Sequence, residues 1–355
     1  MNQKTNISII GGGGYGAAEL LRHLLIREDV NISRISDKDH VGKSLQEVHR
    51  SFMGIPGADI LLEDISPKEC AAGADIIFLA MPHIITAKVA MDLLNEDVRI
   101  IDLSGDFRLS NLYDYIRDYA PQHPCPERLG TFVYGMPELN ADKIKTAKHV
   151  ASPGCFATGI AMSLLPLAKA GHLQARTIRT VAMTGSSGSG VRPIAGTHHP
   201  VRNNNLKVYK TLHHQHRSEI LQTLKSAGAE KTSLDFIPVS APLVRGILSV
   251  SQLDLPENQN EESLQKLYED YYQDHKNVIV LPFGVSPEVV AVKNTVRVEV
   301  GLAVRIDEET GTRTLACISA IDNLVKGGAG QAIQSFNLMT GKEACYGLDQ
   351  PGIWP

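Results

Sequence analysis

A cysteine in a glycine-flanked turn, Ser152-Pro153-Gly154-Cys155-Phe156-Ala157-Thr158-Gly159, is the residue of this sequence best placed to do chemistry. The apolar run 160–170 behind it reads as a helix, which puts Cys155 in the first turn. Unpaired backbone amides and the positive end of the macrodipole favour a thiolate there. A thiolate is the form that attacks an acyl carbon. The competing reading is a small buried apolar cysteine.

Histidines form the second constellation. Thr197-His198-His199-Pro200 and Tyr209-Lys210-Thr211-Leu212-His213-His214-Gln215-His216-Arg217 hold five of the thirteen. A histidine at a helix start can move a proton near neutral pH. A metal site is not expected, because no cysteine or grouped acid completes a ligand set. Surface histidines in a polar loop are the plain alternative. Ahead of both stretches, Gly185-Ser186-Ser187-Gly188-Ser189-Gly190 either presents amides to an oxyanion or is a simple connector. Arg192, Arg202, Lys207, Lys210 and Arg245 are cations available to an anionic substrate, or else a solvated basic face.

The third element is glycine-rich. The strand 7–10 runs into Gly11-Gly12-Gly13-Gly14-Tyr15-Gly16, and an apolar-periodic helix follows over 17–26. Gly11, Gly13 or Gly14, and Gly16 fit G-x-G-x-x-G, the turn that brings backbone to a pyrophosphate. After a strand at 31–36, Asp37 stands where an acid bonds ribose hydroxyls and favours NAD, while Lys38 and Lys43 could meet a 2′-phosphate. Asp37 as a solvated turn residue is equally open.

These residues need a scaffold. Strands at 75–80 and 98–103, with a helix at 86–94, continue the alternation of an open α/β sheet. They place His83, Ser104, Asp106 and Arg108 at the strand ends where ligands bind. A local Asp106–Arg108 ion pair is the alternative. Beyond Cys155 the pattern turns strand-rich, with strands at 177–184, 234–240, 246–254, 277–281, 295–304 and 314–320, and helices at 215–227 and 262–273. This predicts an α+β domain with a mainly antiparallel sheet. A strand then enters Asp322-Asn323-Leu324-Val325-Lys326-Gly327 and a helix over 330–339. Asn323 carries the donor and acceptor that a nicotinamide carboxamide needs. The expected division is a dinucleotide-binding Rossmann domain over 1–154, a catalytic and oligomerisation domain over 155–325, and a tail over 326–355 returning to the first.

Composition narrows the class. With 355 residues, 43% apolar and 21% charged, the chain is globular and long enough for two domains. A net charge of −4 does not suggest a nucleic-acid partner. Five scattered cysteines without a CxxC pair argue against disulfides and structural zinc, and fit a reducing cytoplasm. No apolar run reaches membrane-span length, and the first residues carry no apolar signal segment.

Taken together, these segments resemble the N-acetyl-gamma-glutamyl-phosphate reductase family, which includes a similar reductase of the amino-carrier-protein lysine pathway. The resemblance rests on Gly-Gly-Tyr-Gly-Ala-Ala-Glu-Leu at 13–20, Leu-Ala-Met-Pro-His at 79–83 and Asp-Leu-Ser-Gly-Asp-Phe-Arg-Leu at 102–109. It continues through Tyr-Gly-Met-Pro-Glu-Leu at 134–139, Pro-Gly-Cys at 153–155, His-Xaa-His at 214–216 and Ala-Ile-Asp-Asn-Leu-Val-Lys-Gly at 320–327. It implies the two-domain fold of phosphorylating aldehyde dehydrogenases. It implies Cys155 as nucleophile and His214 as acid/base, with His216 less favoured. Gly11, Gly13, Gly14, Tyr15, Gly16, Ser36 and Lys38 would then hold NADP, and Asn323 its nicotinamide. NAD stays open because Asp37 replaces a polar residue of the family's Thr-Ser pair. Ser152 stands where the family often has Asn, and Gln215 where it has Arg. The implied partners are a small acyl phosphate and further copies of the chain, as a dimer or tetramer. The stretch 197–210 looks closer to the lysine-pathway type, so a carrier-linked aminoadipyl substrate is the alternative. A related semialdehyde or glyceraldehyde-phosphate dehydrogenase and a non-catalytic dinucleotide sensor are the competing classes.

Overall fold

Runs such as Ile76-Ile77-Phe78-Leu79 are buried on both faces, the mark of a parallel strand covered by helices on either side. The computed structural model describes residues 4–255 and 259–353. Its first sheet contains β1 (Thr5–Ile10), β2 (Val30–Ser36), β3 (Leu62–Glu63), β4 (Ile76–Leu79), β5 (Arg99–Asp102), β6 (Val133–Tyr134) and β7 (His149–Ala151). Their order is β3-β2-β1-β4-β5-β7-β6, parallel at every ladder. Strand order reverses between β1 and β4, so the loops after these two strands open at the crevice where such sheets take ligands. The first of those loops is Gly11–Gly16. This sheet belongs to a unit made of residues up to Pro153 together with Gly328–Leu348. The helix Gly330–Met339 is buried along its whole length and packs on β5 and the helix Pro137–Lys145 of the same unit.

The second unit spans Gly154–Gly327 and includes residues 349–353. The sequence reading sent the whole tail to the first unit. Its last residues instead pack here, with Gly352 seated against the Ala291 carbonyl where no side chain would fit. The sheet of this unit holds β8 (Thr177–Thr184), β9 (Lys207–Val208), β10 (Ser233–Ser240), β11 (Ile247–Asp254), β12 (Val278–Val280), β13 (Val298–Ile306) and β14 (Arg313–Ile321). The order is β12-β13-β14-β11-β8-β10-β9. Four ladders are antiparallel, and β8–β10 and β12–β13 are parallel. Burial alternates along β8 and β11, so only one face is packed. On the other face Val181, Val250 and Ile318 stand in register across three strands, all at least partly exposed.

The helix Cys155–Lys169 fills the packed side and is buried from Phe156 to Ala168. Pro166 lies inside it, lacks an amide hydrogen, and so leaves the Met162 carbonyl without its helical donor. The Tyr272 hydroxyl, from the helix Glu261–Tyr272, donates to that carbonyl at 2.5 Å. The Tyr268 hydroxyl donates to the neighbouring Ser163 carbonyl at 2.6 Å. Removing the Tyr272 hydroxyl strands a buried acceptor, so Tyr272→Phe is expected to cost about 1–3 kcal/mol in urea unfolding. Adding Pro166→Ala to that variant restores an amide donor and should recover part of the loss.

Candidate active site

Cys155 is the first residue of its helix, with Gly154 as an extended N-cap that supplies no side-chain cap. The Gly154 amide donates instead to the Glu219 carboxylate at 2.7 Å. Glu219 is fully buried, on the helix His216–Ser226 that packs along the cysteine helix. From the other side the backbone of Gly327 presses on the Cys155 turn. A Cβ added at Gly327 would lie 2.8 Å from Cys155 Cβ and 3.1 Å from its Cα. Cys155 itself is half-exposed. Burial pushes the thiols of Cys70 and Cys125 up to about 11 and that of Cys317 up to about 12, which keeps them protonated.

The histidines separate by burial. His198, His199 and His213 are exposed, whereas His214 and His216 are buried. The His214 ring lies edge-on to Phe156, Phe236, His216 and Tyr209, with centroids 4.8–5.9 Å away. Its Nδ1 accepts the His216 amide at 3.1 Å. The neutral ring therefore carries its proton on Nε2. Lys210 and Leu212 take positive φ in the turn that delivers His214, and the Tyr209 and Leu212 amides tie that turn to β10. Among the described residues, no three His, Cys, Asp or Glu side chains gather as a metal site.

The Gly/Ser loop is already engaged. The amides of Gly185, Ser186 and Ser187 donate to carbonyls of the Leu243–Gly246 turn at 2.8–3.0 Å. That decides against an oxyanion cradle built from those three amides. Asn323 Oδ1 accepts the Gly246 amide at 2.6 Å, and Nδ2 donates to Ser187 Oγ at 3.0 Å. The Ser187 hydroxyl also faces Oδ1 at 3.5 Å, so one amide hydrogen of Asn323 is without a partner among the described residues. Asp322 accepts the amides of Leu324, Val325 and Asn294 and pairs with Arg245 at 3.4 Å, which fixes the loop carrying Gly327.

In the first unit the amides of Gly11 and Gly12 donate to the Ser36 carbonyl at 2.8 and 3.3 Å. Ser36 thus acts on the loop through its backbone, and its buried hydroxyl turns to the Ile65 carbonyl. Gly14 is the N-cap of the helix Tyr15–Leu24, again without a side-chain cap, and Gly16 packs toward Leu103. Tyr15 and Lys38 are exposed. Asp37 closes over the loop. One oxygen accepts the Gly13 amide at 2.8 Å, and the other takes the amides of Asp39 and His40 and faces His40 Nδ1 at 3.0 Å. Burial works to raise its pKa, but these bonds hold it below the usual carboxylate value. A Cβ on Gly13 would lie 2.6 Å from His40 Nδ1, so any larger residue there must displace the His40 ring.

At the β5 end, Asp106 caps the helix Ile85–Leu93, taking the Ile84 and Ala87 amides and the Tyr115 hydroxyl at 2.8–2.9 Å. Arg108 holds the Ser152 and Leu103 carbonyls at 2.7 and 2.9 Å. His83 Nδ1 accepts the Gly105 amide at 2.7 Å. These residues build the loop floor. Sequence reading missed Glu219, His40 and the closeness of Gly327 to Cys155, since each acts on a residue far away in the chain.

A Gly-rich switch-point loop in one unit and a cysteine on a helix start in the other define a semialdehyde dehydrogenase. The family model described as the semialdehyde dehydrogenase NAD binding domain matches residues 6–147, and the dimerisation domain of the same family matches residues 155–323. The solved structure of aspartate semialdehyde dehydrogenase II from Vibrio cholerae shares the fold, with a TM-score of 0.71 and 16% identity, covering 96% of this chain and 99% of that one. Among curated relatives, the N-acetyl-gamma-glutamyl-phosphate reductases of Methanosphaera stadtmanae and Acinetobacter baylyi are each 36% identical, covering 99% of both chains. The chain belongs to the N-acetyl-gamma-glutamyl-phosphate reductase family.

Gly327→Ala forces the Cys155 turn aside. It is expected to slow iodoacetamide labelling of Cys155 and to lower turnover at least about tenfold, because misplacing a reacting group by an ångström costs that much or more. Mass spectrometry of the labelled peptide checks the first effect.

Proposed function

We propose that this enzyme reduces N-acetyl-gamma-glutamyl phosphate to N-acetylglutamate semialdehyde and phosphate, a step of arginine biosynthesis, with NADPH as reductant. The observation that carries the reading is Cys155 on an uncapped helix start, held by Glu219 and Gly327. The names of the curated relatives favour the N-acetylglutamyl substrate over a carrier-linked aminoadipyl one. Cys155 thiolate attacks the acyl carbon, and the phosphate leaves with the bonding pair, which gives a thioester. The bound nicotinamide cofactor supplies the hydride that takes the acyl group to the aldehyde level. His214 donates from Nε2 to the oxygen that carries charge and takes the proton back as the carbonyl re-forms and the thiolate departs.

The residues fit such a cofactor. Uncapped amides at the start of the helix Tyr15–Leu24 suit a pyrophosphate, and Gly13 leaves room beside the Asp37–His40 lid. The charge of Asp37 is spent on three amides and His40, so it opposes a 2′-phosphate less than a free carboxylate would, and exposed Lys38 offers a counter-charge. The Candida albicans aspartate semialdehyde dehydrogenase (TM-score 0.67, 12% identity) is described with NADP. Asn323 retains one amide hydrogen for the nicotinamide carboxamide. Five cysteines, none in a disulfide among the described residues, suit a reducing cytoplasm.

The test is the reverse reaction: phosphate-dependent reduction of NADP with N-acetylglutamate semialdehyde, followed by nicotinamide absorbance. Cys155→Ser should lower it by at least about a thousandfold while cofactor binding, read by fluorescence titration, is kept. Absence of turnover by the purified parent enzyme with N-acetylglutamate semialdehyde, NADP and phosphate all present would refute the reading.

The homo-oligomer is built, on this reading, through the open face of the second sheet. Val181, Val250 and Ile318 form its centre, an apolar stripe of the kind that marks an interface. Val181→Arg is expected to shift the particle to smaller mass in light scattering, with little loss of fold because Val181 is 40% exposed.

A further inference from the structure

The second unit contains a guanidinium that no carboxylate of the described residues neutralises. Arg202 ends the helical turn His199–Arg202 and is half-buried. Nη2 donates to the Thr184 carbonyl at 2.9 Å, and Nη1 donates to Ser240 Oγ. Thr184 and Ser240 are paired at the ends of parallel β8 and β10, so Arg202 sits at that shared edge. Its Nε–H is buried and has no acceptor among the described residues. Both partners it does have are neutral. Burying a cation on neutral oxygens alone is costly, and an arginine does not escape the cost by losing its proton.

Tyr209 relates Arg202 to Cys155. Its amide bonds the Pro238 carbonyl of β10, two residues before Ser240, and its ring lies edge-on to His214 at 5.9 Å, which in turn lies edge-on at 5.2 Å to Phe156, the neighbour of Cys155. Two neighbouring cations of the unit are already engaged by side chains: Arg245 pairs with Asp322, and Lys210 donates to Gln215.

We propose that Arg202 binds an oxyanion of the substrate beside Cys155. The assignment deepens the function proposed above and rests on it. A carboxylate and a phosphoryl group offer the same planar-fork recognition, and N-acetyl-gamma-glutamyl phosphate carries both.

The experiment compares the parent enzyme with Arg202→Gln in the reverse direction. The probes are N-acetylglutamate semialdehyde, acetamidobutyraldehyde (the same aldehyde without the carboxylate) and inorganic phosphate. If the carboxylate docks on Arg202, kcat/KM for the semialdehyde falls roughly a hundredfold and that for acetamidobutyraldehyde is unchanged. If the phosphoryl group docks there, the phosphate KM rises by a similar factor and the preference between the two aldehydes is kept. Either result supports the proposal. Unchanged KM values for all three with a reduced kcat would make Arg202 structural and overturn it, as would full activity. Arg202→Lys keeps the charge and loses the fork, so it should show a smaller loss in the same parameter, and it serves as the readout if Arg202→Gln does not fold. A parent enzyme inactive on both aldehydes refutes the reaction and the assignment with it, whereas an active parent with an indifferent Arg202→Gln refutes only the assignment.

Discussion

The 2.7 Å hydrogen bond from the Gly154 amide to the Glu219 carboxylate is the constraint on which the site depends. It joins the helix that begins at Cys155 to the helix that begins at His216, two residues after His214. A carboxylate in a fully buried position is tolerated only when strong donors meet it, so the bond fixes how the two helix starts approach. Gly327 then closes the opposite side of the cysteine turn, and the Asp322 hub keeps the Gly327 loop in place. Cys155 is thus held by backbone geometry contributed from three separate stretches of chain.

Much of this was legible in the sequence because it is local. The strand, Gly-rich turn and helix at 5–24, the apolar strands at 76–79 and 99–102, and the helix start at Cys155 all follow from periodicity and turn residues. What could not be read is non-local. β3, β6 and β7 have two or three residues each, too few to show a period. The helix over 160–170 is legible from its apolar run, but not what lets it contain Pro166: two tyrosines more than a hundred residues later satisfy the carbonyls around it. The Gly185–Gly190 loop has the composition of an anion cradle, yet its amides face a turn that composition does not reveal. Asp106 and Arg108 read as residues of a ligand-binding strand end, with a local ion pair as the alternative. They instead serve a helix start and two carbonyls, for the same reason that buried polar atoms anywhere must find partners.

The cofactor loop shows how one acidic residue changes meaning with context. In a free state Asp37 would read as a ribose ligand. Folded back on Gly13 and locked by His40, it behaves as part of the loop and sets the shape of the crevice wall. Backbone amides and the His40 ring, rather than a cation from elsewhere, hold its charge in place.

The three deeply buried thiols carry a kinetic consequence. A thiol with a pKa near 11 is ionised in only about one molecule in ten thousand at neutral pH. Electrophiles and peroxides that meet this protein therefore find Cys70, Cys125 and Cys317 almost inert. Chemical damage is channelled toward the half-exposed sulfurs of Cys155 and Cys345. The chain can afford five sulfurs because burial, not sparing use of cysteine, decides which of them ages.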